Sequence, residues 1–194
     1  MTLAENLRAA LARGHARQPR LLAGDIAETA EGTPAAVLVA VVDRPAPTVI
    51  LTQRPETLPR HAGQISFPGG RIEPDDGDPI AAALREAEEE IGLPPAKVEV
   101  IGIGDRYVTV TGFQVTPVVG VLPPGLRLTP HPGEVADLFE APLDYLLDPA
   151  HQQVRTTFFQ GRERTYYEID WQGRRIWGAT AAMIVNLGRR LVFA

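Results

Sequence analysis

The chain has 194 residues, of which 44% are hydrophobic and 22% are charged, and its formal net charge is −5. These values are typical of a soluble protein that buries a hydrophobic core. The negative net charge argues against a protein that coats nucleic acid. The absence of cysteine excludes disulfides, thiolate metal sites and a thiol nucleophile.

The sequence predicts a cytoplasmic protein that has no membrane partner. The sequence contains no run of about 18 apolar residues, so no transmembrane helix is expected. The first residues do not form the apolar core of a secretion signal, because Glu5 and scattered arginines interrupt it. Thr2 and Glu5 have the spacing of a capping box, which indicates the start of a helix.

The N-terminal part is expected to be a helix followed by an irregular connector. Leucines recur at helical spacing over residues 2–13, and Gly14 marks the predicted end of this helix. Residues 15–33 are rich in Gly, Pro and polar types, which predicts a connector. We therefore divide the chain into residues 1–33 and a single domain over residues 34–194.

The rest of the chain combines strand and helix patterns. Helices are expected over residues 80–91 and 179–191, residues 54–79 are loop-rich, and Gly161 and Gly173 predict turns between antiparallel strands. The predicted strands are 35–42, 49–52, 98–103, 107–110, 115–121, 154–159, 165–169 and 174–177, with an edge strand and a short helix in 138–147. This order predicts an α/β fold of the α+β kind, with a mixed β-sheet sandwiched between helices.

The helix over residues 80–91 carries an acidic cluster. Glu86, Glu89 and Glu90 share one face, because residues three and four apart are neighbours on a helix, and like charges there repel. Most glutamate runs are simply solvated surface. A bound divalent cation is the other explanation, since carboxylate oxygens are hard ligands. The Gly69–Gly70 pair and the acid-rich loop favour the cation, because loop carbonyls can complete a cage of oxygens.

The stretch from Gly70 to Leu93 resembles the Nudix box. This loop–helix–loop signature is written Gly-x5-Glu-x7-Arg-Glu-U-x-Glu-Glu-x-Gly-U, where U is a bulky apolar residue. Ala87 is small for the first U position. The second half of the signature is matched by Arg85, Glu86, Glu89, Glu90, Gly92 and Leu93.

The first half of the box departs from the family pattern. The stretch from Gly70 to Arg85 is one residue longer, and Asp76 stands where the family has Glu. In the family that Glu pairs with the box arginine. Here Asp76, Asp75 or Glu73 can take this place, or none of them does.

The resemblance implies a Nudix-type α/β/α sandwich and hydrolysis of a nucleoside diphosphate linked to another moiety. It implies Mg²⁺ or Mn²⁺ as cofactor, with Glu86 and Glu90 as metal ligands and Glu89 as a ligand or a nearby residue. A backbone carbonyl near the Gly69–Gly70 pair adds one more oxygen. The residues with structural roles in the box are then Arg85, Asp76 and Gly92.

The general base is left open. Nudix enzymes often take a base from outside the box, and Glu134, in a loop before an apolar run, is one candidate. Glu134 is equally well explained as an acid at the start of a strand or helix, with no catalytic part. Glu89, from within the box, is the other candidate for the base.

The segment before the box concentrates positive charge. Arg54 and Arg60 suit phosphate oxygens, and the glycines allow the backbone to approach a ligand. The segment resembles the extra motif of the coenzyme A pyrophosphatase subgroup, roughly Leu-Leu-Thr-x-Arg-Ser/Ala-x3-Arg-x3-Gly-x3-Phe-Pro-Gly-Gly. Pro55 replaces the small residue, and one extra residue lies between the two arginines. The matching positions are Thr52, Arg54, Arg60, Gly63 and Phe67–Gly70.

The subgroup resemblance implies coenzyme A or an acyl-CoA as substrate, cleaved to 3′,5′-ADP and 4′-phosphopantetheine. It implies that the substrate-binding residues are Arg54, Arg60, Gly63, Gly69 and Gly70. The alternatives are a Nudix hydrolase of NADH or ADP-ribose, and a Nudix module that binds a nucleotide without cleaving it. A pure binder has no need of three repelling glutamates. The expected partner is a small molecule, and the oligomeric state stays open, a homodimer included.

Overall fold

The structure, a computed structural model, describes residues 1–17, 19–22, 24–25, 32–58, 61–159 and 161–191. The helices are α1 (Leu3–Arg17), α2 (Pro79–Ile91), α3 (Leu143–Leu147) and α4 (Ala179–Arg190). The strands are β1 (Thr33–Val42), β2 (Thr48–Gln53), β3 (Ile65–Ser66), β4 (Gly69–Arg71), β5 (Glu99–Ile103), β6 (Tyr107–Val108), β7 (Phe113–Leu122), β8 (Asp137–Pro142), β9 (Gln153–Phe159), β10 (Arg162–Trp171) and β11 (Arg174–Trp177). Short 3₁₀ turns occur at Pro95–Lys97 and Pro149–His151. Among the helices of these residues, none combines the length and the apolar character needed to cross a membrane.

The central sheet is mixed. Its main path runs β3–β2–β1–β7–β5, and β4, β6 and β8 join it at β1, β7 and β2. The central pair, β1 and β7, is parallel, whereas the other pairings are antiparallel. β4 pairs with the first half of β1, so that Gly70 lies opposite Ala36. The glycine pair therefore lies against the central strand of the sheet.

The two faces of β1 enter two hydrophobic layers. Val39 and Val41 pack with residues of α1 and α4. Leu38 and Ala40 point to the opposite face and pack with residues of α2. A strand buried on both faces needs an apolar residue at nearly every position. β1 meets this requirement, because every residue after Thr33 is apolar. The predicted mixed sheet between helices is confirmed.

A second, three-stranded antiparallel sheet has the order β11–β10–β9. Gly161 and Gly173 lie in its two turns, with φ of 73° and 78°. Glycine adopts these positive values at little steric cost. The predicted antiparallel strands and both turns are confirmed.

The N-terminal helix begins as predicted and ends later. Thr2 N–H donates to the Glu5 carboxylate (2.8 Å) and Glu5 N–H donates to the Thr2 hydroxyl (3.2 Å), which completes the capping box. The predicted end at Gly14 is wrong, because α1 continues to Arg17. A Cβ at Gly14 would collide with the backbone of Arg190 in α4. This glycine therefore permits a close approach of two helices.

Candidate active site

The acidic helix α2 is defined by its two ends. Asp78 caps the N-terminus, since its carboxylate accepts a 2.8 Å hydrogen bond from Ala81 N–H, and Pro79 occupies the first turn. Gly92 ends the helix with φ of 64°, and its N–H donates to Glu88 O (2.9 Å). These caps fix the start and the end of α2, and its apolar face packs on the sheet.

Glu90 is buried between α2 and β4. Its exposed fraction is 5%, and its carboxylate accepts a 3.1 Å hydrogen bond from the backbone N–H of Gly69. Burial disfavours the charged form and raises the pKa of Glu90 to about 7. The Gly69 N–H opposes this shift, whereas the nearby charges of Glu86 and Glu134 add to it.

Glu86 lies one turn before Glu90 and faces the same strand. A Cβ on Gly70 would collide with the Glu86 carboxylate, which would then have to leave this position. Burial also raises the pKa of Glu86, and the charge of Arg85 counteracts this shift. The glycine pair therefore forms the wall against which two largely buried carboxylates lie.

Arg85 links the loop to the helix. Its Nε and Nη2 donate to the two Asp76 oxygens, both at 2.9 Å, and Nη1 donates to Glu89 at 2.8 Å. Arg85 and the N–H of Glu73 hold the pKa of the buried Asp76 below its usual range. Of the three acids that the sequence offered as partners of Arg85, the structure places the Asp76 side chain there. Glu73 contributes its backbone N–H (2.8 Å) to Asp76.

The donor set suits a hard divalent cation. Glu90 is buried and the Glu86 side chain is 15% exposed, and the charge of Glu86 raises the pKa of Glu90, so a cation between the two carboxylates would relieve their repulsion. Among the residues that the structure describes, no three Asp, Glu or His side chains are placed to hold a metal ion together. Glu89 is exposed and paired with Arg85. Two carboxylates fit the preference of Mg²⁺, which usually keeps several waters and takes further oxygens from substrate phosphates.

A loop docked on the end of α2 brings in Glu134. The backbone N–H groups of Thr129 and His131 donate to Ile91 O and Glu90 O, both at 2.8 Å. The exposed Glu134 follows, and its charge raises the pKa of both buried glutamates. This docking uses backbone atoms, which no residue pattern marks, so the sequence alone does not predict it.

Arg54 approaches the site from the end of β2. Its positive charge lowers the pKa of Glu90, so the guanidinium lies within electrostatic reach of the carboxylate pair. Its Nε is buried and has no hydrogen-bond partner in the described part of the chain. Ala136 N–H donates to Gln53 O (2.8 Å), which ties the Glu134 loop to the same strand end. The structure thus brings Arg54 and Glu134 to the carboxylate pair.

The rest of the basic segment is described in part. Arg60 falls outside the described residues, so its predicted phosphate contact stays a prediction. Gly63 has φ of 65°, and a Cβ there would collide with the Glu56 carboxylate. The Arg54 N–H donates to Gln64 O (2.9 Å), which closes the loop behind the arginine. Gly63 therefore shapes the loop that carries Arg54.

Comparisons with known proteins agree with the box. The profile of the NUDIX domain matches residues 32–160. A protein of Photorhabdus laumondii called uncharacterized Nudix hydrolase NudL is 43% identical over 157 residues, which cover 81% of this chain and 84% of that protein. The protein of the same name from Escherichia coli K12 is 42% identical over 164 residues, with 84% and 85% covered.

A solved structure supports the fold. The binary complex of an Ap4A hydrolase from C. elegans matches with a TM-score of 0.50 and 20% identity, covering 57% of this chain and 80% of that one. At this identity the likeness concerns the fold alone.

Proposed function

Because this chain belongs to the Nudix family, we propose that it hydrolyses the diphosphate bond of coenzyme A or an acyl-CoA. The products are 3′,5′-ADP and 4′-phosphopantetheine or its acylated form. The family accounts for the reaction class, hydrolysis of nucleoside diphosphate derivatives. The motif between Thr52 and Gly70 supports the choice of coenzyme A, and this choice is the part that needs a test.

The observation that carries the proposal is the buried pair Glu86 and Glu90 against the Gly69–Gly70 wall. These two residues would hold Mg²⁺ or Mn²⁺, with Glu89 at the outer side of the pair. A bound divalent cation neutralises charge on a diphosphate and lowers the pKa of a bound water. The pair costs stability when both acids are charged and nothing lies between them, which favours a catalytic site over a structural role.

Glu134 is the general base in this proposal. A base must accept a proton from the attacking water, so it needs a free carboxylate oxygen near the metal ligands. Glu134 meets this condition, because it is exposed and close enough to shift the pKa of Glu86 and Glu90. One oxygen of Glu89 is occupied by Arg85 at 2.8 Å. The Arg85–Glu89 ion pair then has a structural role on the surface of α2.

Arg54 binds the phosphate groups in this proposal. Its positive charge reaches Glu90, its buried Nε has no hydrogen-bond partner among the described residues, and guanidinium groups bind phosphate oxygens with charge-assisted hydrogen bonds. Arg60 is proposed as a second phosphate contact on the strength of the motif alone. Asp76 and Arg85 hold the loop in place, and Gly63, Gly69 and Gly70 shape the surface that the substrate meets. The reaction would take place in the cytoplasm, on a small-molecule substrate.

The test is a substrate panel with Mg²⁺ or Mn²⁺. The purified protein is incubated with coenzyme A, acyl-CoAs, NADH and ADP-ribose, and products are separated by chromatography. Release of 3′,5′-ADP from coenzyme A at the highest kcat/KM supports the proposal. Faster cleavage of NADH or ADP-ribose overturns the coenzyme A assignment and leaves the hydrolase. Absence of all turnover, with nucleotide binding retained, indicates a binding module.

A matched pair of variants ties the turnover to the site. Glu90→Gln keeps the shape and an acceptor for Gly69 N–H but removes a metal ligand, so activity should fall by orders of magnitude. Glu88→Gln changes an exposed glutamate of the same helix and should leave activity unchanged. Equal activity in both variants contradicts the assigned metal site.

A further inference from the structure

β9 (Gln153–Phe159) is an edge strand of the three-stranded sheet. In the described part of the chain it pairs only with β10, on one side. The side chains at 153–158 are all exposed. Sheet edges are usually protected by several charges, by proline or by a covering element, because an open row of N–H and C=O groups can pair with another strand. β9 has a single charge, on Arg155, and no proline.

The exposed apolar side chains concentrate on this edge. Val154 is 57% exposed and Phe158 is 75% exposed. Among the described residues, the other large apolar side chains with high exposure are Met1 and Ile103. Val154 and Phe158 are four apart on a strand and point to the same side, with Thr156 between them. An apolar stripe thus runs along an edge that no described strand pairs with.

We propose that β9 pairs antiparallel with β9 of a second copy of this chain, about a two-fold axis at Thr156. In this register Val154 of each copy lies opposite Phe158 of the other, and Thr156 lies opposite itself. A β-branched residue opposite an aromatic one is a favourable cross-strand pair. The contact is isologous, so it closes as a dimer and leaves no edge for further growth.

The charges agree with this register. Arg155 lies opposite Thr157 of the second copy, and its guanidinium is 3.6 Å from Glu168 of its own chain. A register centred on Arg155 would place two arginines opposite each other and leave Phe158 without a partner at the strand end. The two-fold axis at Thr156 is therefore the register that both covers the stripe and avoids like charges.

The contact is small. A strand of seven residues is about 23 Å long, at roughly 3.3 Å per residue, so the pairing stays below the usual size of a permanent interface. The dimer is therefore expected to form and dissociate with protein concentration. The pairing uses no residue of the acidic helix, so its failure and the failure of the proposed activity are separate results.

A disulfide tests the register directly. The chain has no cysteine, so Thr156→Cys introduces a single thiol on the proposed axis. Opposed residues in an antiparallel pair have Cα atoms about 4.5 or 5.5 Å apart, within the range of a disulfide. Mild oxidation of the full chain should give a covalent dimer that reductant dissolves. The control is Thr165→Cys, which lies opposite Thr156 on β10 and would be about 14 Å from its copy, three strand spacings away.

Sedimentation equilibrium supplies the second measurement. The wild type should shift from monomer to dimer over a roughly hundred-fold rise in protein concentration. Phe158→Lys should remain monomeric throughout with unchanged thermal stability, whereas Ile103→Lys, at an exposed apolar position outside the hairpin, should dimerise like the wild type. A monomeric wild type at every concentration overturns the proposal. So does cross-linking of Thr165→Cys as fast as Thr156→Cys.

Discussion

The backbone N–H of Gly69 donates a 3.1 Å hydrogen bond to the carboxylate of Glu90. This contact joins the glycine pair before the acidic loop to the helix after it, although 20 residues separate the two in sequence. The hydrogen bond stabilises the Glu90 carboxylate inside the protein, where a carboxylate without a donor would reduce the stability of the fold. The loop and the helix therefore act as one unit, so that a change in one should alter the other.

Replacing Gly70 should disturb the site without unfolding the protein. In Gly70→Ala the new Cβ would collide with the Glu86 carboxylate, which must then move. Since misplacement of a catalytic group by about 1 Å can cost roughly 10²-fold in rate, we expect a loss of kcat/KM of about that size. The control is Gly77→Ala, because nothing lies within 4 Å of a Cβ there. Similar rates in the two variants would refute the role of Gly70.

Removing the partner of Arg85 should reduce stability. Asp76→Asn leaves the guanidinium without its paired carboxylate, whose two oxygens each accept at 2.9 Å. Hydrogen bonds to charged groups contribute about 1.5–3 kcal/mol, and partial exposure of Arg85 lowers this, so we expect a loss of roughly 1–2 kcal/mol in denaturant unfolding. Asp75→Asn changes an exposed neighbour and should have little effect. A larger loss of stability in Asp75→Asn than in Asp76→Asn would contradict the assignment of Asp76 as the partner of Arg85.

The sequence was sufficient for the helix and insufficient for its surroundings. Helix termination and close backbone approach follow local rules, so Gly92 and the Gly69–Gly70 pair could be interpreted from the pattern, whereas the cap at Asp78 was not predicted. The partner of Arg85 could not, because three acids within four residues differ only in how the loop folds. The docking of the Glu134 loop and the contact of Gly14 with α4 depend on tertiary packing between distant segments.

The buried glutamate should make stability depend on pH. Burial raises the pKa of Glu90 to about 7, whereas an unfolded chain releases this proton near pH 4.3 (about the value of free Glu). The native state thus binds the proton more tightly, and the stability this provides is present below about pH 4.3 and lost as the pH rises through about 7. Glu86 acts in the same direction, since burial raises its pKa as well. We expect the Tm of the metal-free protein to fall across this window.

Two variants separate the contribution of Glu90 to the pH dependence of Tm from that of the other ionisable groups. Glu90→Gln removes the titration and should flatten the decline of Tm with pH in the presence of a chelator. Glu88→Gln, at an exposed position, should keep the slope of the wild type. Added Mg²⁺ should raise the Tm of the wild type more at pH 8 than at pH 5, because the charged pair binds it. A slope that Glu90→Gln leaves unchanged contradicts the burial argument.

Removing the guanidinium at the end of β2 should weaken substrate binding. Arg54 has a buried Nε without a partner in the described part of the chain, so Arg54→Ala breaks no hydrogen bond of that atom there. Loss of a charge-assisted contact to phosphate corresponds to about 1.5–3 kcal/mol, or roughly 10- to 100-fold in KM for coenzyme A. Arg54→Lys should restore little, since an ammonium cannot reproduce the planar fork. The control is Arg8→Ala, which removes an exposed guanidinium of α1 that pairs with Glu99 of β5 and should leave KM unchanged. An unaltered KM in Arg54→Ala would contradict the assignment of Arg54 as a phosphate contact.

Substitution of Glu134 and of Glu89 should separate the two candidate bases. Glu134→Gln should lower kcat by about 10²- to 10⁴-fold, the usual contribution of a general base, with little change in KM. Glu89→Gln should lower kcat less, because Glu89 already accepts from Arg85 at 2.8 Å. The measurement is kcat and KM of both variants for coenzyme A at a fixed Mg²⁺ concentration. The reverse ranking would assign the proton transfer to Glu89. The docking of the loop through Thr129 and His131 would then position an acid with no catalytic part.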